Sequence, residues 1–215
     1  EEIIKKIISD SFPTHSILGE ETGMTEKKSE YVWHVDPIDG TKSFVRREFL
    51  SSVSIGVEEE GKLIGGCVYD FMRDLMYVGS SGSAYILNWG NKLPFQKTDS
   101  QLKPRVILDK IALKKFMGLE SRPDYSINLG TGSFALCLAQ IASGVYDGMV
   151  DLEKKGNIWD VAGGVYLLST QDIQMKDSYG NDFDYKNPNR GTILANSKVQ
   201  SLLSLSDKIR LENQI

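Results

Sequence analysis

The stretch that most constrains this chain is Trp33-His34-Val35-Asp36-Pro37-Ile38-Asp39-Gly40-Thr41-Lys42-Ser43-Phe44. A β-type run, Tyr31-Val32-Trp33, leads into two carboxylates set three residues apart. Between them Pro37 fixes φ and removes a backbone donor. Gly40 permits a tight turn and lets a ligand approach the backbone closely, and Thr41 puts a hydroxyl beside that turn. Two acids on one short loop repel each other and make poor core material. A hard cation such as Mg²⁺, which prefers oxygen ligands, removes the repulsion. Alone, Asp-Pro and Asp-Gly are ordinary turn signals, so the weight falls on whether distant acids join them.

Two further acids stand at the ends of apolar segments. Ser16-Ile17-Leu18-Gly19 reads as a short buried strand, and Glu20 follows it. Asp160 opens an apolar helix within Asn157-Ile158-Trp159-Asp160-Val161-Ala162-Gly163-Gly164. Taken singly, Glu20-Glu21 is a solvated loop and Asp160 a helix cap that satisfies free N–H groups. Gly130-Thr131-Gly132-Ser133 precedes another apolar helix, Phe134 to Ala142. Its free N–H groups and positive dipole end suit an anion, although a plain turn has the same appearance.

The 215 residues allow one large domain or two small ones. A net charge of −4 argues against a nucleic-acid partner, and no apolar run approaches the ~20 residues of a membrane span. Cys67 and Cys137, each in an apolar segment, read as buried free thiols of a reducing compartment. With no recognisable signal peptide, a cytoplasmic protein is expected. The chain opens without Met inside a helical pattern (Ile3, Ile4, Ile7, Ile8), so a preceding N-terminal segment is expected to be missing. Residues 23–30 read as an exposed, mobile loop. Strands over 51–57, 62–69, 75–78 and 84–87 suggest an antiparallel meander. From about Lys103, strands at 105–108, 125–129, 145–150, 173–175 and 192–195 alternate with helices at 111–117, 134–142, 159–169 and from Ser197 onward. No linker interrupts the pattern, which predicts one domain over 1–215.

Phe12-Pro-Thr-His-Ser-Ile-Leu-Gly-Glu-Glu-Thr22, Trp33-His-Val-Asp-Pro-Ile-Asp-Gly-Thr41 and Trp159-Asp-Val-Ala-Gly163 resemble, in order and spacing, motifs of the inositol monophosphatase family. Cys67-Val-Tyr and the Gly132-Ser133 helix start also fit. These are lithium-sensitive, Mg²⁺-dependent phosphatases related to fructose-1,6-bisphosphatase. The resemblance implies an α/β fold (α+β layered), an α/β/α/β/α sandwich, and commonly a homodimer. It implies that Glu20, Asp36, Asp39 and Asp160 are metal carboxylates, with the Ile38 carbonyl as a further ligand. One Mg²⁺ would take Glu20, Asp36 and Ile38, a second Asp36, Asp39 and Asp160. A third, weaker ion would sit near Glu20, and Mn²⁺ could substitute. Gly40 and Thr41 N–H groups would hold the phosphate. Gly132, Ser133 and Phe134, bordered by Asp39 and Asp160, would line the alcohol part of a small phosphorylated metabolite.

Glu20 with Thr41 would orient and deprotonate the attacking water, and Asp36 would anchor both ions. A substrate-contacting acid of the family falls on Glu153 when counted back from Asp160, and on Asp151 when counted forward from Gly132. Lys42 stands where inositol phosphatases usually carry Thr. Gly-Thr-Lys recurs in histidinol-phosphate and 3′-phosphonucleotide phosphatases, which keeps both substrates open beside inositol monophosphate. The family's N-terminal segment, with its metal-loop lysine and an acid supporting Thr41, has no counterpart here. A non-catalytic metal- or phosphate-binding regulator on the same fold is therefore the alternative class.

Overall fold

The computed structural model describes residues 1–96, 101–117, 124–130, 132–153 and 156–203. Helix α1 (Glu2–Ser11) carries Ile4 and Ile8 four apart on one face. Both pack on Ile17, Trp33 and Val35 of the sheet beneath. That sheet contains β1 (Ser16–Gly19), β2 (Gly23–Thr25), β3 (Tyr31–Asp39), β4 (Ser52–Glu59), β5 (Lys62–Asp70), β6 (Leu75–Ser80), β7 (Ser83–Asn88) and β8 (Asn91–Pro94), with a short helix α2 (Thr41–Val45) between β3 and β4. Its order is β2-β1-β3-β4-β5-β6-β7-β8. β1 runs parallel to β3, and the expected meander makes up the rest.

The second sheet alternates with helices. It is built from β9 (Arg105–Leu108), β10 (Ser126–Leu129), β11 (Gly148–Asp151), β12 (Gln174–Lys176) and β13 (Thr192–Ala195), in the order β10-β9-β11-β13-β12. Helices α3 (Lys110–Met117), α4 (Phe134–Ala142) and α5 (Ile158–Ser169) complete the fold. Successive strand residues point to opposite faces. Ile107, Met149 and Leu194 meet α4 and α5, whereas Val106, Leu108, Val150 and Ile193 meet Ala112 and Phe116 of α3. The layers are therefore α1, sheet, α4/α5, sheet, α3. Leu136, Leu138 and Ile141 of α4 are fully buried in the central layer, each contributing roughly 1.5–3 kcal/mol relative to exposure.

Four expectations change. Part of the loop at 23–30 is strand β2, paired to β1. The two central acids lie at the end of β3 and not on a free loop, with a register shift between Asp36 and Asp39. The strand expected from Val145 begins at Gly148, because the N–H groups of Val145 and Tyr146 fold back onto the Gln140 carbonyl at the end of α4. Of the final helix only a 3₁₀ turn, Gln200–Leu202, falls within the described residues.

The inward face of β4 is its small and polar one. Ser52, Ser54, Gly56 and Glu58 are buried, while Val53, Ile55 and Val57 are half-buried. Helix α5 lies on β4 and β5 almost backbone to backbone. A Cβ on Gly56 would stand 2.5 Å from that of Ala162, and one on Gly66 would stand 2.3 Å from the Gly163 carbonyl. Larger side chains would push α5, and Asp160 with it, away from the sheet.

Candidate active site

Four chain segments converge at one end of the first sheet. The Glu20 N–H donates to the Val35 carbonyl (3.1 Å), which seats Glu20 beside Asp36 across the parallel β1–β3 pair. The turn that follows is fastened to α1. The Glu1 carboxylate accepts from the N–H groups of Glu21 (2.9 Å) and Thr22 (3.1 Å), and the Lys5 ammonium donates to the hydroxyls of Thr22 and Thr25. Asp36, Asp39 and Asp160 each offer a carboxylate oxygen to one cluster, with those atoms all within 4.8 Å of one another. The Asp36 carboxyl lies within hydrogen-bonding reach of both Glu20 and Asp160.

Each of the three clustered acids has one oxygen tied to the protein. The Ile38 N–H donates to Asp36 Oδ1 (2.9 Å). The Ser133 hydroxyl and the Ala135 N–H, at the start of α4, both donate to Asp39 Oδ2 (2.6 Å each). The Asn157 N–H donates to Asp160 Oδ2 (2.8 Å). Asp160 is thus a helix-capping residue and a member of the acid cluster at once.

The electrostatics are those of an uncompensated site. Burial, then Asp39 and Glu20, push the Asp36 carboxyl up to about 9. Burial raises Asp39 to about 7, with the Ser133 hydroxyl and Ala135 N–H pulling it back and Asp160 pushing it up. Burial also raises Asp160. Among the described residues no lysine or arginine forms an ion pair with any of the three acids. Buried carboxylates without a counter-ion are costly, and a hard divalent cation is the partner that such an oxygen set fits.

The other expected residues fall into place around this cluster with mixed results. Gly40 adopts φ 82°, caps α2, and sits so tightly that a Cβ would stand 2.8 Å from the Leu50 carbonyl and 3.0 Å from the Gly132 carbonyl. The 40–41 turn and the start of α4 are therefore adjacent. The Thr41 hydroxyl donates to the Ile38 carbonyl (3.1 Å), which commits its hydrogen and leaves its lone pairs for accepting. Ser133, expected to line the substrate, is wholly buried, and its hydroxyl is directed to Asp39. Phe134 is half-buried and Gly132 exposed, while Thr131 lies outside the described residues. Asp151 and Glu153 do not join the three-acid cluster. Asp151, at the end of β11, is pushed up to about 7 by burial and by a carboxyl–carboxyl hydrogen bond with Asp109. Asp109 also accepts the N–H groups of Ala112 and Leu152.

Sequence reasoning missed Asp109, Asn157 and three serines. The Ser51 hydroxyl donates to the Gly40 carbonyl (3.0 Å), Ser52 meets Ser133 (Oγ–Oγ 2.9 Å), and the Ser54 hydroxyl donates to the Trp159 carbonyl (3.0 Å). Only the repetition of serine at the head of a strand, Ser51-Ser52-Val53-Ser54, could have signalled them.

Among known proteins, the family model described as "Inositol monophosphatase family" matches residues 1–209. The chain belongs to the inositol monophosphatase family. Inositol monophosphatases are metal-dependent phosphomonoesterases. A fructose-1,6-bisphosphatase/inositol-1-monophosphatase of Aquifex aeolicus is 31% identical over 182 residues, covering 78% of this chain and 65% of the relative. Mouse inositol monophosphatase 1 is 29% identical across the whole chain, which spans 79% of the mouse protein. The solved structure of inositol monophosphatase II from Staphylococcus aureus superposes with a TM-score of 0.77 at 28% identity, covering 99% of this chain and 82% of that one. No helix among the described residues is long and apolar enough to cross a membrane.

Proposed function

We propose that this inositol monophosphatase family member is a Mg²⁺-dependent phosphomonoesterase that hydrolyses a small alcohol phosphate such as inositol monophosphate. The observation that carries the reading is the convergence of Asp36, Asp39 and Asp160 within 4.8 Å, with Glu20 beside Asp36. Glu20, Asp36, Asp39, Asp160 and the Ile38 carbonyl would hold two or three cations. Bound there, Mg²⁺ or Mn²⁺ polarises a phosphoryl oxygen and lowers the pKa of a water.

The chain's own residues do the rest. Glu20, exposed at the mouth of the cluster, takes the proton from the attacking water. The Thr41 hydroxyl accepts a hydrogen bond from that water, since its own hydrogen is held by Ile38. N–H groups of Gly40 and Thr41 bind phosphate oxygens, and Gly132 and Phe134 face the alcohol. Asp151 or Glu153 binds a substrate hydroxyl farther out. Asp36 and Asp39 stay engaged with cation, so water is the nucleophile and no phosphoenzyme forms.

A second substrate reading has its own observation. Lys42 and Arg46 lie one turn apart beside the 40–41 turn, exposed and in no ion pair among the described residues. A substrate with an additional negative group, such as a 3′-phosphonucleotide, would use them. Histidinol phosphate, which is cationic at its amine, would not. The same proposal takes the chain as a single domain acting as a homodimer. It also takes it as cytoplasmic, in keeping with two free thiols, of which Cys67 is pushed up to about 12 by burial.

Phosphate release from inositol monophosphate, histidinol phosphate and a 3′-phosphonucleotide, with Mg²⁺ and with chelator, tests the function. Release from one of them that chelator abolishes is expected. Release from none would favour the non-catalytic regulator.

A further inference from the structure

Resting on the metal reading above, we propose that the head of β4 is the frame that positions the site, with Ser52 holding Asp39 through Ser133. Counting hydrogens fixes the direction of this chain of bonds. Asp39 Oδ2 accepts the Ala135 N–H at 2.6 Å, so that oxygen presents lone pairs, and the hydrogen on the 2.6 Å Ser133–Asp39 bond belongs to Ser133. A serine hydroxyl has one hydrogen and two lone pairs. Ser133 Oγ must therefore accept from Ser52 at 2.9 Å, as it also accepts the Leu136 N–H at 2.9 Å. Ser133 is then fully satisfied, with one bond given and two received.

Both hydroxyls are wholly buried, where water cannot replace a lost partner and an orphaned polar group is costly. Ser52 is also the residue directly opposite Asp39 in the β3–β4 pairing. The relay thus locks the same carboxylate from across the sheet and from the start of α4. Its neighbours act likewise on the other parts of the site. Ser51 holds the Gly40 carbonyl of the 40–41 turn, and Ser54 holds the Trp159 carbonyl one residue before Asp160. Three serines at the head of one strand therefore brace Asp39, the 40–41 turn and the start of α5. The Asp39 oxygen that remains is left aimed by its bound twin, as partners of metal ligands generally act. Ser51, Ser52, Ser54 and Ser133 are positioning residues and touch neither substrate nor cation.

The test is calorimetric titration of Mn²⁺ into the full chain and into Ser52→Ala, Ser133→Ala, the double variant and Ser133→Thr, each first shown to be folded by circular dichroism. Removing such partners typically weakens metal affinity ~10–100-fold, and that loss is expected for Ser133→Ala, with a smaller loss for Ser52→Ala. Because Ser52 works through Ser133, the double variant should bind no more weakly than Ser133→Ala alone. Ser133→Thr, which keeps the hydroxyl, should restore affinity. If Ser133→Ala does not fold, Ser52→Ala and Ser133→Thr still decide the matter. Wild-type affinity in Ser52→Ala alongside a lowered melting temperature would show a packing role only, and additive losses in the double variant would rule out the relay. Failure of the unaltered chain to bind Mn²⁺ would overturn the metal reading and this inference together.

Discussion

β3 and β4 carry buried acids at both ends, and the two ends solve the same electrostatic problem differently. At one end, Glu58 of β4 has partners from the protein: Oε2 accepts the Tyr185 hydroxyl (2.7 Å) and faces His34 Nε2 (3.3 Å), and Oε1 accepts the Lys186 ammonium (3.2 Å). Burial alone would raise the Glu58 carboxyl, but Tyr185 and Lys186 bring it below the ordinary value, while burial lowers the His34 imidazolium. At the other end, two residues along the same face of β3 from His34, Asp36 faces Asp39, Glu20 and Asp160, has no ion pair with a basic side chain among the described residues, and is pushed up to about 9. At one end the carboxylate is compensated by a lysine and a tyrosine of the protein. The other is a set of acids lacking only a cation, and that difference marks the site more sharply than the presence of buried acids does.

The largest effect should come from Asp36→Asn. Phosphate release should fall by at least ~100-fold, the upper range seen when mere partners of metal ligands are removed. The metal-free variant should melt higher than the parent, because like-charge repulsion is relieved. Glu58→Gln, its counterpart in the compensated network, should do the reverse, leaving turnover in place and lowering the melting temperature.

Divalent cation should separate the two ends next. At one hundred times its dissociation constant, Mg²⁺ or Mn²⁺ should stabilise the folded chain by ~2.7 kcal/mol, read as a rise in melting temperature. The rise should survive Glu58→Gln and disappear in Asp36→Asn.

The two ends also carry opposite pH signatures. Asp36 and Asp39 have folded values, about 9 and about 7, above their ordinary 3.8. Their contribution is full below pH 3.8 and is lost as pH rises through 7 to 9. Glu58 is lowered from 4.5, so its contribution is present above pH 4.5 and lost as pH falls through its folded value. Metal-free melting temperature should therefore decline from pH 4 to 9. Saturating cation, which competes with protons for the same oxygens, should flatten that decline, and Asp36→Asn should blunt it.

The smallest effect belongs to Tyr185→Phe, which removes the hydroxyl that Glu58 shares with the Gly61 carbonyl. It should cost ~1–3 kcal/mol in denaturant unfolding and leave Mn²⁺ affinity unchanged.

Local periodicity made much of the fold readable. Ser16–Gly19, Phe134–Ala142 and Thr192–Ala195 have the bounds that their apolar runs predict, because each is buried by its own pattern. β2 and β8 were not readable, since short polar strands owe their form to the partner they pair with. In the site, Asp36, Asp39 and Asp160 stood out as acids at the ends of apolar segments. The pairing of Asp109 with Asp151 spans neighbouring strands β9 and β11 and leaves no local trace. The inward serines of β4 were hidden for a related reason. The close approach of α5 makes the small, polar face the buried one, which inverts what hydrophobic alternation suggests. Trp159, next to Asp160, is half-buried at the start of α5.

The central claim is that the unpaired acids at the end of β3 form a cation site while the paired acid at the end of β4 does not. Titrating Mn²⁺ into the metal-free chain, Asp36→Asn and Glu58→Gln tests it most directly. Saturable binding by the parent and by Glu58→Gln, abolished in Asp36→Asn, is the predicted result. Equal binding by Asp36→Asn and the parent, or none by the parent, would contradict it.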